Sequence, residues 1–268
     1  MATYVIGDIH GCVETLNALL EKICPSPKDT LWFCGDIVNR GSSSANCIRL
    51  IRSLKNPTVC VLGNHDIYLL AVASKVIELH ETSTSIKDVL NADDSGDLID
   101  WLRHLPLAYV KQNTILVHAG LLPEWEPTQV SLLANEVSSK LRSDHWKDFM
   151  NDLWGDTPNK WKNQLKGKDR HRIIVNGLTR IRYVNINGEM DFKQKDSPVQ
   201  PNNNYFPWFS HPKRLSKEYK VIFGHWSRLG LIIRPNLLSL DTGCVWGGML
   251  TAARVEDNKI YSQKLIDK

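Results

Sequence analysis

Leu31-Trp32-Phe33-Cys34-Gly35-Asp36-Ile37-Val38-Asn39-Arg40-Gly41 sets an aspartate directly after a short apolar run closed by glycine. The same order recurs along the chain. Tyr4-Val5-Ile6 leads to Gly7-Asp8-Ile9-His10, and Val59-Cys60-Val61-Leu62 to Gly63-Asn64-His65-Asp66. Ile115-Leu116-Val117 runs into His118-Ala119-Gly120, and Val221-Ile222-Phe223 into Gly224-His225-Trp226. Short, β-branched-rich runs bounded by glycine read as buried strands. In open α/β sheets, ligands collect beyond the carboxyl ends of the strands. Strands running the same way bring Asp8, His10, Asp36, Asn64, His118 and His225 to one edge. One Asp or His after a strand is usually a turn former; an ordered set of six reads as a site.

Helical patterns alternate with these strands. Leu16, Leu19, Leu20 and Ile23 share one face, as do Ile48, Ile51 and Leu54, and Asn64 opens a third helix carrying Leu69, Leu70, Val72 and Ala73. The β-α-β-α-β order predicts an α/β fold with parallel strands and helices packed on the sheet. From about residue 124 to 214 the chain is more polar and less periodic, with helical stretches and a proline- and asparagine-rich loop from Ser197 to Pro207. After Lys220 short strands return, ending in Met249 to Ile260 with a turn at Asp257-Asn258. We expect one catalytic domain over residues 1–268, with an insertion at about 124–214.

At 268 residues the chain can bury a substantial core. Its 42% hydrophobic and 23% charged residues are ordinary for a globular protein. A net charge of +4 suits an anionic ligand but falls short of the dense basic patches of nucleic-acid binders. The six cysteines show no C-x-x-C spacing and no signal peptide precedes them, so reduced thiols and a cytoplasmic location are expected. No apolar stretch approaches the roughly 20 residues of a membrane helix, so no membrane association is expected.

The six residues suit a two-metal hydrolytic site. Two divalent ions about 3.5–4 Å apart clamp the attacking and leaving oxygens of an in-line displacement. Asp36 is the candidate bridging carboxylate. Asp8 and His10 complete one ion's shell; Asn64, His118 and His225 complete the other's. These donors suit Mn2+, Fe2+, Co2+ or Zn2+ better than Ca2+.

The blocks Asp8-x-His10, Gly35-Asp36-x-x-x-Arg40-Gly41, Gly63-Asn64-His65-Asp66, His118-Ala119-Gly120 and Gly224-His225 resemble the calcineurin-like metallophosphoesterases in order and spacing. Three further segments look like the bacterial symmetrical bis(5′-nucleosyl)-tetraphosphatases. These are Trp154-Gly155-Asp156-Thr157-Pro158-Asn159-Lys160-Trp161, Asn176 to Arg182, and Leu240 to Gly248. The resemblance spans Thr3 to Glu256. It implies mixed β-sheets sandwiched by helices, with a mainly helical insertion. It also implies hydrolysis of diadenosine tetraphosphate to two ADP by a hydroxide held between two ions. Mn2+ or Co2+ would be the usual ions, with Fe, Zn or Mg also compatible.

The same resemblance gives His65 the role of assisting the leaving oxygen, and sets Asp66 beside it in the catalytic group. Arg40 would neutralise a phosphoryl oxygen, as would Arg180 or Arg182, and Asp241 would form part of the site's floor. Protein serine/threonine phosphatases of the superfamily carry aspartate where this chain has Asn39, and usually glutamate at Asp66. An amide accepting the N–H of His65 would orient the ring without stabilising an imidazolium. A nucleotide phosphate, leaving with a pKa of about 6–7, tolerates that weaker assistance.

Trp154 and Trp161, with Trp146 and Trp208, lie in the insertion, where a ring can stack on adenine or pack in the core. The basic stretch Lys166, Lys168, Arg170, His171 and Arg172 reads as a solvated face or a tetraphosphate contact. His80, His104, His145, His171 and His211 lie outside the motifs and are expected to be structural. The expected partner is a small-molecule dinucleoside polyphosphate. The 5′ end of a capped RNA presents the same anhydride, and no protein partner is expected. Two alternatives stay open, a protein serine/threonine phosphatase and a nucleotide-binding module without catalysis. Asn39, Asp66 and the Trp-Gly-Gly after Asp241 oppose the first; the full ligand set opposes the second.

Overall fold

The computed structural model describes residues 1–80, 84–197 and 204–268, so residues 198–203 of the proline- and asparagine-rich loop lie outside the described residues. In the first part, β1 (Thr3–Ile6), β2 (Thr30–Phe33) and β3 (Thr58–Cys60) alternate with α1 (Val13–Ile23), α2 (Ser44–Ser53) and α3 (Asn64–Ala73). Next come α4 (Lys87–Leu90), α5 (Ser95–Arg103), β4 (Ala108–Lys111) and β5 (Thr114–Val117). The middle of the chain holds α6 (Pro127–Arg142), α7 (Trp146–Leu153), α8 (Gly167–Arg180), β6 (Tyr183–Asn185), β7 (Met190–Asp191) and β8 (Tyr205–Pro207). It closes with β9 (Lys220–Phe223), β10 (Ile232–Arg234), β11 (Leu237–Ser239), β12 (Asp241–Thr242), β13 (Met249–Arg254) and β14 (Ile260–Lys264).

Two mixed sheets result. The first runs β12-β13-β1-β2-β3, with β14 on β13, and β1, β2 and β3 are parallel. The second runs β10-β11-β9-β5-β4, and β5, β9 and β11 are parallel. Val5, Trp32, Leu116, Ile222, Leu238 and Ala253 form one buried cluster drawn from both sheets, so the sheets meet face to face. Their strand neighbours Ile6, Phe33, Val117 and Phe223 belong instead to the core shared with the helices. Strands covered on both sides have no polar face, which is why these runs are continuously apolar. Each such side chain contributes about 1.5–3 kcal/mol of transfer free energy.

The connection between parallel β5 and β9 contains the whole 124–214 segment. Besides α6, α7 and α8 it carries a small sheet, β7-β6-β8, that periodicity did not reveal. Trp125 is fully buried over Gly177, where a Cβ would lie 2.7 Å from the ring. That close approach lets the Ala119 N–H reach the Leu178 carbonyl at 2.8 Å. The carboxyl end of α8 is thereby fixed beside the loop after β5.

The first turn of α1 is capped from the far end of the chain. Asp267 accepts the N–H groups of Glu14 and Thr15 at 3.1 and 2.9 Å, and the Thr15 hydroxyl at 2.6 Å. A side-chain cap of this kind is worth about 1 kcal/mol. Asp267→Ala is therefore expected to lower unfolding stability by about 0.5–2 kcal/mol; an unchanged urea midpoint would remove Asp267 as a cap.

Candidate metal centre

Asp8 and His10 follow β1, Asp36 follows β2, and Asn64 opens α3 after β3, while His118 and His225 follow β5 and β9. The carboxyl ends of both sets of parallel strands meet at one rim. Asp36 Oδ2 lies 3.6 Å from His10 Nε2 and 3.4 Å from His118 Nε2. His10 Nε2 is 4.0 Å from Asp8 Oδ2, and His118 Nε2 is 3.1 Å from Asn64 Oδ1. Asp36 belongs to two donor groups, one with His10 and His65, the other with His118 and His225. Within each group the ligand atoms are within 4.8 Å of one another. A carboxylate shared by two groups is the arrangement a bridged pair of cations requires.

Backbone contacts fix these side chains. The His225 N–H donates to Asp8 Oδ2 at 2.9 Å and the Gly224 N–H to the His118 carbonyl at 2.8 Å. A Cβ on Gly224 would sit 1.8 Å from Asp8 Oδ1, so only glycine permits this approach. The His10 N–H donates to the Asp36 carbonyl at 2.8 Å, and the His65 N–H, at the positive end of α3, to Asp36 Oδ1 at 2.8 Å. His10, Asp36, Asn39, Arg40 and His225 all have positive φ, five of the nine such non-glycine residues among those described. Each costs roughly 1–3 kcal/mol and persists because its surroundings hold it.

Buried acidic groups dominate the electrostatics of the cleft. Burial pushes the carboxyls of Asp8 and Asp241 up, and Asp66 rises to about 7. Burial also acts on Asp36, but His118, His65 and His10 hold its carboxyl well below the usual range. His118, although desolvated, is raised by Asp36. Burial lowers His225 well below its ordinary value and His65 to about 3. Asp8 Oδ1 is buried with no hydrogen-bond partner among the described residues. Several buried carboxylates and an orphan oxygen, with imidazoles facing them, fit divalent cations.

The surrounding residues divide sharply. The Asn39 amide nitrogen lies 2.8 Å from His65 Nδ1, while its oxygen accepts the Arg40 N–H at 2.8 Å. The amide therefore donates to His65 rather than accepting from it, the reverse of the sequence expectation. The cause is local, since Arg40's backbone claims the oxygen. Nδ1 must be the acceptor, which leaves the neutral ring's proton on Nε2. Asp66 is fully buried, with Oδ1 accepting the Ile37 N–H at 3.0 Å and Oδ2 the Gly63 N–H at 2.8 Å. It ties two ligand-bearing loops together and does not line the cleft.

Arg40, Arg180, Arg182 and Asp241 line a central cavity of about 410 Å³ with His10, Asp36, Asn64 and His225. Arg180 is paired with Asp156 at 2.8 Å. Arg182 donates to the His225 carbonyl at 3.2 Å, and its Nε has no partner among the described residues. Trp154 borders the cleft, 43% exposed. Trp161 is not brought there; its ring packs against Trp125, with centroids 5.6 Å apart, and Arg170 covers it. The basic stretch stays away as well, Arg170 held by Glu136 and Arg172 by the carbonyls of Asp152 and Thr157. Lys195, Phe192 and Trp246, which sequence reasoning missed, also line the central cavity. Only Trp246 lay inside a quoted motif.

A family model of the calcineurin-like phosphoesterases matches residues 1–226. A curated relative from Janthinobacterium sp. (strain Marseille), named symmetrical bis(5′-nucleosyl)-tetraphosphatase, is 47% identical over 98% of this chain and 96% of its own length. One of the same name from Dechloromonas aromatica (strain RCB) is 44% identical, covering 97% and 95%. The solved structure of a candidate diadenosine tetraphosphatase superposes with a TM-score of 0.65 at 25% identity, covering 98% of this chain and 93% of that one.

Two outcomes follow from the charges. Mn2+ binding to chelator-stripped protein should release protons, because burial raises the carboxyls of Asp8 and Asp241 and Asp36 raises His118. The release should shrink as pH rises; calorimetry in two buffers of different ionisation enthalpy counts it, and binding without release would overturn this charge assignment. Asn39→Asp should move the His65 ring proton to Nδ1, read from its ¹⁵N shifts. An unchanged tautomer would show that Asn39 does not set it.

Proposed function

The chain belongs to the calcineurin-like phosphoesterases, and from that membership we propose that it hydrolyses diadenosine tetraphosphate symmetrically to two ADP. The observation that carries this reading is Asp36, whose Oδ2 lies 3.6 Å from His10 Nε2 and 3.4 Å from His118 Nε2 in a cleft lined by Arg40 and Arg182. Divalent ions are implied by the family. Asp8, His10 and Asp36 would hold one, and Asp36, Asn64, His118 and His225 the other. When bound, such a pair supplies an activated water and offsets the charge on phosphoryl oxygens. Mn2+ or Co2+ is our assignment, since carboxylate, imidazole and amide donors suit them, with Fe, Zn or Mg as substitutes.

The chain's own residues do the remaining work. Arg40 and Arg182 neutralise non-bridging phosphate oxygens with planar, permanently charged forks. Arg182, with no carboxylate ion pair among the described residues, is better placed to do so than Arg180, which Asp156 occupies. His65 offers its Nε2–H to the leaving oxygen as a hydrogen-bond donor, and Asn39 keeps that proton in place. A nucleotide phosphate with a pKa of about 6–7 departs with no more help than that. A serine alkoxide is far more basic and needs a full proton, so the amide at Asn39 disfavours phosphoprotein hydrolysis.

We read the chain as one catalytic unit, with the 124–214 insertion supplying Arg180, Arg182 and Trp154 to the cleft. A cytoplasmic location fits its free cysteines. No helix of the described residues is long and apolar enough to cross a membrane. Removal of a nucleoside-tetraphosphate cap from RNA is a natural extension, because the anhydride is the same.

With Mn2+ or Co2+, diadenosine tetraphosphate should give ADP alone on anion-exchange chromatography. AMP plus ATP would overturn symmetrical cleavage, and no turnover with any ion would overturn the hydrolytic reading. Asp36→Ala should lower turnover by at least about a thousandfold, since both ions lose a ligand.

A further inference from the structure

We propose that the cleft holds two nucleosides in paired cavities, one on each side of the metal centre. One is walled by Tyr68 and Trp154 and the other by Trp246. This inference rests on reading the cleft as a dinucleoside tetraphosphate site, and it names the residues that take the two bases.

Three cavities adjoin. The central one, about 410 Å³, shares Arg40, His65 and Arg180 with a flanking cavity of about 620 Å³. It shares Arg182, Ser227 and Trp246 with a second flanking cavity of about 610 Å³. Lys195 lines all three. Both flanking volumes lie within the roughly 300–1,000 Å³ of small-molecule pockets. Their near equality suits a ligand with the same group at each end.

The chemistry along this path is ordered. Its outer parts are aromatic. Trp154 is 43% exposed and Trp246 65% exposed, whereas Trp125, Trp161, Trp208 and Trp226 are buried. Tyr68 and Trp154 have ring centroids 6.2 Å apart at 48°, two inclined walls of the first cavity. Large rings left in water at a cavity mouth mark a ligand surface, and every base has a π-face to stack on them. The middle is cationic, with Arg40, Arg180, Arg182 and Lys195 around the candidate ligands. Arg40 lies 5.8 Å from the Trp246 ring centroid, so a cation stands where the aromatic platform gives way to the phosphate path. Lys195 is held over that path, because the Trp226 indole N–H donates to its carbonyl at 3.1 Å and the next residue, Asp196, pairs with Arg228. Base, phosphates, base is the order of groups this path accepts. Anchoring both ends would centre the tetraphosphate over Asp36, so the cleaved bond is the middle one.

The test is a calorimetric titration of the Mn2+-loaded protein with ADP, together with KM for diadenosine tetraphosphate. The wild type should bind two ADP per chain. Trp154→Ala and Trp246→Ala should each reduce this to one and raise KM roughly tenfold or more. Trp246→Phe should restore most of the loss. Both tryptophans are well exposed, so the folded state should survive; circular dichroism checks this. One ADP per wild-type chain, or an unchanged KM in either alanine variant, would overturn the paired cavities. Two ADP bound without cleavage of the dinucleotide would sink the hydrolytic reading and leave the cavities standing; cleavage with a single ADP site would do the reverse.

Discussion

Asp8, Asp36, Asp66 and Asp241 are buried beside one another, and their mutual repulsion is the constraint around which the rest of the molecule is arranged. Burying unpaired carboxylates costs several kcal/mol each unless hydrogen bonds or cations answer them. The protein supplies the hydrogen bonds. Asp66 takes backbone N–H groups from two loops, Asp36 takes one from the start of α3, and Asp8 takes one from the opposite sheet. It supplies too few cations. Of His65, His118 and His225, which face Asp36, only His118 is raised overall, while burial lowers His65 and His225. The remainder is the charge that divalent ions would offset.

Placing those carboxylates requires the two-sheet layout. Asp8 and Asp36 come from the first sheet, and His118 and His225 from the second. The apolar layer of Val5, Trp32, Leu116 and Ile222 sets the spacing between the halves. The ligand set is thus only as well ordered as the packing beneath it, which ties stability to chemistry more closely than in a site built on one loop.

Much of this was legible in the sequence because strand ends are local signals. A continuous apolar run, a glycine and a metal-type residue can be read within about seven positions, and all six candidate ligands did reach one rim. Other features depend on direction, which local pattern does not carry. Nothing near Asn39 shows that Arg40's backbone takes its oxygen. Trp154 and Trp161 sit in one motif, yet one borders the cleft and the other packs on Trp125. Lys195 lies in a polar stretch without periodicity, and only the folding of that stretch across Trp226 brings it to the cavities. Asp66, adjacent in sequence to His65, faces the other way because α3 turns about 100° per residue.

The left-handed backbones at His10, Asp36, Asn39, Arg40 and His225 have a consequence for how this protein can change. Glycine at any of these positions would relax the local geometry, by roughly 1–2 kcal/mol each on steric grounds. Selection for heat resistance alone would therefore drift toward erasing the cleft one side chain at a time. The residues that persist there mark where function has outbid robustness, and a laboratory lineage evolved without a demand for turnover should lose them first.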